Sequence, residues 1–226
     1  MSEIQNTVWL NNEALTVRSI SVSDMANNVY VLTSKVTGQQ VVIDAADDFP
    51  TIERFAKEAA RQDYAGAGEA LGVMYVLTTH GHWDHIRALP QAAEEFDAKT
   101  YAGQADIPAI QSQENFTVQE ALLGGETLSF DGYRLDTISL VGHTPGSIAF
   151  VLRTQDKTIL FTGDSLFPGG VGKTNSDADF RSLFHDVKSK LFGEFDDDAL
   201  VLPGHGDSTT LGAERGSLDE WEARGW

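Results

Sequence analysis

Cysteine is absent from this chain of 226 residues. No disulfide framework, thiolate nucleophile or thiolate metal ligand is available, so any metal must be held by imidazole and carboxylate. Positive charge is scarce as well: 16 Lys and Arg stand against 34 Asp and Glu, a formal charge of −18. Such a field repels phosphate backbones and anionic lipid surfaces, which disfavours a nucleic-acid partner. Long hydrophobic runs are also missing. No stretch approaches the ~18 consecutive apolar residues of a membrane span, and the start "MSEIQNTVWL" lacks the basic and then apolar pattern of a secretory signal. The expectation is a cytoplasmic protein with no membrane partner. The triplet "NFT" at Asn115 matches a glycosylation acceptor, but without secretion it reads as a chance match.

A hydrophobic content of 41% is enough for one large domain or two small ones, and no shift in composition marks a linker. Strand-forming segments lead the chain: "EALTVRSISV", then "NVYVLTSKVTGQQVVIDAA", with a hairpin turn at Thr37-Gly38. "DDFPTIERFAKEAARQ" predicts a helix, with Asp48 near its cap and Pro50 near its first turn. "GVMYVLTTH" reads as a buried strand that delivers the chain to His80. A helix from about Pro90 to Phe96 and a strand in "AKTYAG" follow. Strands recur in "YRLDTISLVGHT", "SIAFVLRT", "TILFTGDSLF" and "DALVLPGHG". Between the last two, "DADFRSLFHDVKSKLF" sets Phe180, Leu183, Phe184, Val187 and Leu191 at helical spacing. Two strand-rich halves with interspersed helices predict layered sheets covered by helices.

The chemistry gathers at strand ends. "HGHWDH", from His80 to His85, packs three imidazoles and a carboxylate into six residues. His80 and His82 are two apart, so on an extended chain they can face one metal; Asp84 and His85 come where the chain must turn and can face a neighbouring position. That separation suits two ions better than one. More candidate ligands lie at the ends of other predicted strands: His143 in "VGHTPGS", Asp164 in "FTGDSLF" and His205 in "LPGHGDS". Glycine or proline flanks each, which lets the backbone turn sharply there. Imidazole and carboxylate suit zinc, iron or manganese. The sixth histidine, His185, falls off the apolar stripe of its helix and is expected to have no catalytic role.

In their order and spacing, "THGHWDH", "GHTPGS", "FTGDSLF" and "PGHG" resemble the metallo-β-lactamase superfamily, most closely its glyoxalase II branch, over a match from about Val29 to the C-terminus. The resemblance implies an α/β fold, a four-layer αββα sandwich, with residues 1–226 expected to form a single domain. It further implies that His80, His82 and His143 hold a first divalent ion, that Asp84, His85 and His205 hold a second, and that Asp164 bridges them. Zinc is the expected metal, with iron or manganese as alternatives.

This chain departs from glyoxalase II in several places. In "PGGVGKTN" Lys173 keeps the basic residue that in the family resembles a glutathione grip, but Asn175 stands where an aromatic would be. The tyrosine that follows the family's last histidine is missing from His205-Gly206-Asp207, and the helical C-terminal domain has no counterpart. The usual Gly-Gly after "DHI" is Arg87-Ala88, which predicts a differently shaped loop. The chain is in these respects similar to short bacterial glyoxalase II-like proteins. Lys173 is the candidate contact for a substrate carboxylate. "GGVGKT" is not a phosphate-binding loop, because that motif needs a glycine where Phe167 stands.

Two ions about 3.5–4 Å apart make hydroxide available near neutral pH. Attack on a carbonyl carbon is the expected reaction, with Asp84 as a second-ion ligand that also orients the nucleophile. A thiolate, of pKa about 8.5, departs without a general acid, so a small-molecule thioester is favoured over a lactam as substrate. Two other readings share the same residues: a mono-iron persulfide dioxygenase of the same superfamily, and a metal-binding module without catalysis.

Overall fold

The computed structural model describes residues 4–225. The first half opens as an antiparallel meander of β1 (Thr7–Asn11), β2 (Leu15–Val22), β3 (Asn27–Ser34) and β4 (Gln39–Ile43). The β3–β4 turn passes through Gly38 at φ 71°, and a side chain there would also run into Ala70. The chain then switches to parallel strands joined by helical crossovers. These are α1 (Phe49–Asp63), β5 (Gly72–Leu77), α2 (Trp83–Ile86), α3 (Leu89–Phe96), β6 (Lys99–Gly103), α4 (Ile107–Glu114) and β7 (Glu120–Leu122). Helix α1 starts as its sequence predicts: the Asp48 side chain accepts from the Thr51 N–H, and Pro50, which has no N–H to lose, sits in the first turn. The result is one seven-stranded sheet in sequence order.

The second half builds its own sheet. A meander of β8 (Thr127–Phe130), β9 (Tyr133–Ser139), β10 (Ile148–Arg153) and β11 (Thr158–Gly163) is followed by a small hairpin, β12 (Leu166–Phe167) with β13 (Gly170–Val171). Helix α5 (Asp177–Asp186) then returns the chain to β14 (Leu200–Pro203), parallel to β11, before β15 (Thr209–Thr210), α6 (Leu211–Arg215) and α7 (Leu218–Arg224). The six-stranded order is β15-β14-β11-β10-β9-β8.

Alternation along the strands explains the layering. In β4, Val41 and Ile43 join Leu32, Leu77, Phe150 and Phe161 between the sheets, while Val42 points outward to Ile52, Phe55 and Ala56 of α1. In β10, Phe150 faces inward and Ala149 and Val151 face Leu183, Val187 and Trp221. Strands buried on both faces read as continuous apolar runs, which is why "VVI" and "IAFVL" showed no period of two. Helices therefore cover both outer faces of two packed sheets, the αββα order that the family resemblance implied. Among the described residues, no helix is long and apolar enough to cross a membrane.

One expected element differs. The single helix read over "DADFRSLFHDVKSKLF" is α5 up to Asp186, followed by a wider π-helical turn, Val187–Phe192. Adjacent Leu191 and Phe192 are both buried there, with the Phe192 ring 6.3 Å from that of Trp221.

Candidate metal centre

Every candidate ligand stands on a connection leaving a strand at one rim of the two sheets. β5 ends at Leu77, and the chain runs irregularly through His80 and His82 into α2, which carries Asp84 and His85. From the other sheet, His143 lies between β9 and β10, Asp164 directly after β11, and His205 just beyond β14. The two sheets are tied at this point: Asn27 and His205 form an isolated antiparallel bridge, and Asn28 N–H donates to Gly204 at 2.8 Å.

The rings converge with one nitrogen of each facing inward. His143 donates from Nδ1 to the carbonyl of Lys173 at 2.7 Å, His205 from Nδ1 to the carbonyl of Met25 at 2.9 Å, and His85 from Nδ1 to Asp44 Oδ2 at 3.0 Å. Those acceptors fix the tautomers and leave each Nε2 facing the centre. There His80 Nε2 lies 3.3 Å from His143 Nε2 and 3.1 Å from His82 Nδ1, while His85 Nε2 lies 3.0 Å from His205 Nε2. Asp164 sits between the two groups, Oδ1 at 3.4 Å from His85 and Oδ2 at 3.4 Å from His205 and 3.6 Å from His143. Asp84 Oδ2 is 3.1 Å from His205 Nε2 and accepts from the Asn27 carboxamide at 3.1 Å.

This arrangement fits bound cations. Ring nitrogens crowd to about 3 Å from one another beside two carboxylates, and Asp164 Oδ1 is buried with no well-formed hydrogen bond, a donor set that suits divalent cations. Three sets of ligand atoms lie close enough to hold an ion: His80, His82 and His143; His80, His85 and Asp164; and Asp84, His85 and His205. All seven ligand candidates read from the sequence are thus brought together.

Proton affinity differs sharply between them. Burial, reinforced by neighbouring imidazoles, holds His80 well below the ordinary histidine range and His82 below it. Burial also opposes charge on His85 and His205, but hydrogen bonds outweigh it. Asp164 and Asp44 push His85 up to about 9, and Asp164 and Asp84 push His205 up to about 10. The converse holds for the carboxylates: against the effect of burial, His205 and His85 bring Asp84 to about 2 and hold Asp164 far below the usual range.

Sequence reasoning passed over two supports. Asp44 ends the apolar run of β4 at φ 58° and is 1% exposed; besides His85, it accepts from the Thr79 N–H at 2.8 Å and the Thr79 hydroxyl at 2.7 Å. An acid at the end of a buried strand was the available signal. Asn27, fully buried, had none. Of the remaining candidates, Lys173 is exposed on the loop that follows β13, and His185 is exposed on α5 and belongs to none of the three ligand sets. Arg87, in place of the glycine, stacks 4.6 Å over the Trp83 ring and pairs with Asp47 at 2.9 Å.

A family model of the metallo-beta-lactamase superfamily matches residues 22–205, and the chain belongs to that superfamily. Among curated relatives it is 32% identical over 162 residues to hydroxyacylglutathione hydrolase GloC of Haemophilus influenzae, covering 65% of this chain and 75% of that one. It is also 28% identical over 183 residues to the human mitochondrial persulfide dioxygenase ETHE1, covering 78% of this chain and 62% of that one. Among solved structures it is similar to TTHA1623 in a di-iron-bound form, with a TM-score of 0.67, 25% identity, and coverage of 87% of this chain and 96% of that one. The superfamily makes the chain a metal-dependent hydrolase in class, with a cluster able to hold divalent metal.

Proposed function

We propose that the protein hydrolyses small-molecule thioesters, of the 2-hydroxyacyl kind handled by glyoxalase II-like enzymes, using two divalent ions, with zinc as the first choice. His80, His82 and His143 would hold one ion, Asp84, His85 and His205 the other, and Asp164 both. When bound, the ions would supply hydroxide near neutral pH and polarise the substrate carbonyl. The observation that carries this reading is the inward convergence of ring nitrogens from both sheets around the buried Asp164 carboxylate. Because the ligands come from both halves of the chain, we read the two sheets as one catalytic domain.

The chain's own residues have separate tasks. Asp84 stays ionised and is steadied by Asn27, so it can accept a hydrogen bond from the attacking hydroxide and aim it at the carbonyl carbon. As the tetrahedral species collapses, the carbon–sulfur bond breaks and the electron pair leaves on sulfur. A thiolate needs no proton from the enzyme to depart. That matches a site whose five imidazoles would all be taken up as ligands, leaving none to act as a general acid. Lys173, on the loop whose carbonyl orients His143, offers a cation to a substrate carboxylate.

Elemental analysis and thioester kinetics test the reading together: two ions per chain when metal is plentiful, and turnover of lactoyl thioesters. A single ion that never rises on supplementation would reject the two-ion mechanism. A second reading is favoured by the similarity to ETHE1. In it, one iron serves a persulfide dioxygenase, and oxygen uptake on glutathione persulfide without thioester turnover would select it.

A further inference from the structure

Asp106 has no part in the chemistry above, yet it is buried, at 2% exposure, beside the first ligand set. It directly precedes α4. Its Oδ2 accepts from the Gly81 N–H at 2.7 Å and from the Thr144 hydroxyl at 2.7 Å, and its Oδ1 accepts from the Gly146 N–H at 2.8 Å. Gly81 separates His80 from His82, while Thr144 and Gly146 follow His143. One carboxylate therefore grips the backbone of both turns that present this set, one from each half of the chain. The two glycines make room for it: a Cβ on Gly146 would lie 2.7 Å from the Asp106 carboxyl carbon, and one on Gly81 would lie 3.1 Å from its Cβ. All three donors are neutral. A carboxylate buried against neutral donors is tolerated only while each hydrogen bond is made, so the geometry is held stiffly.

We propose that Asp106 is the positioning residue of the first ligand set, fixing the spacing between the His80–His82 turn and the His143 turn so that three imidazoles converge before a cation arrives. The inference rests on the reading of those histidines as metal ligands. An asparagine would keep the shape but turn an N–H toward at least one of the donors, opening the clamp without removing it.

The test titrates the full chain and its Asp106→Asn and Thr144→Val variants with Co(II), following chelator competition and the ion-shifted imidazole N–H signals in proton NMR. His82→Ala and His205→Ala mark which ion is which. Asp106→Asn should weaken the ion marked by His82 at least about tenfold, leave the other within about twofold, and move the first-set imidazole signals. Thr144→Val should show a smaller loss with the same selectivity. Equal weakening of both ions, or a lower melting temperature with unchanged Co(II) affinity, would overturn the proposal. If Asp106→Asn fails to fold, Thr144→Val decides by the same criterion. If no ion in the unsubstituted chain responds to His82→Ala, the ligand reading itself falls, and Asp106 with it.

Discussion

The two ligand sets share a rim, with the His80 and His85 rings only 4.1 Å apart, yet they hold protons in opposite ways. His80 and His82 face other imidazoles in a buried place, and both stay below the ordinary histidine range. His85 and His205 are also partly or wholly removed from water, but Asp44, Asp84 and Asp164 face them and raise them to about 9 and 10. Burial alone lowers an imidazole; burial against a carboxylate raises it. His80 and His82 are therefore open to a cation at neutral pH, whereas His85 and His205 must give up protons to receive one.

Removing the residue common to both sets should have the largest effect. Asp164→Ala takes away the carboxylate placed between them, and both ions should be lost, with kcat/KM falling on the order of a thousandfold, ~4 kcal/mol. Full metal content and activity in that variant would show that nothing is shared.

The pH dependence of loading sharpens the contrast most directly. Since His85 and His205 are protonated up to about pH 9 and 10, the second ion must displace those protons, so its affinity should fall on the order of tenfold or more per pH unit as pH drops near neutrality. The first ion should show a much shallower slope, because His80 and His82 are already neutral. Zinc titrations with a proton-indicating dye at about pH 6 and about pH 8 measure both slopes, and equal slopes would erase the distinction. The metal-free chain gives an independent check. A folded pKa raised above about 6.5 contributes stability that is complete below that pH and lost as pH rises through the folded values. Thermal melts of metal-free protein should accordingly weaken through about pH 9 to 10.

Smaller effects are expected away from the rim's centre. Lys173→Ala should raise KM for a carboxylate-bearing thioester about fivefold, ~1 kcal/mol, with kcat unchanged. Matched esters with the carboxylate replaced by an amide should lose that difference, and a fall in kcat instead would place Lys173 nearer the reaction. His185→Ala should be the mildest. Its ring is exposed on α5, so metal content and kcat/KM should stay within about twofold. A tenfold loss would show that the helix communicates with one of the sets.

Much of this was readable from local pattern. The start of α1 follows from Asp48 and Pro50, and the apolar runs marked β4, β5, β10 and β11, because capping and β-propensity act over a few residues. The candidate ligands were legible for a similar reason: histidine and aspartate beside glycine, at strand ends, is a short-range signal. The π-helical turn was not, because Phe180, Leu183, Phe184, Val187 and Leu191 keep helical spacing through it and no local pattern marks the change.

The sequence by itself determined the donor chemistry, imidazole and carboxylate without thiolate, and the order in which the ligands come. Only the tertiary structure decided which nitrogen of each ring faces inward and which rings hold protons. Those outcomes depend on contacts between Asp44 and His85, 41 residues apart, and between His85 and His205, 120 apart. Electrostatic energies vary with separation and burial, and neither is encoded in a local run of residues.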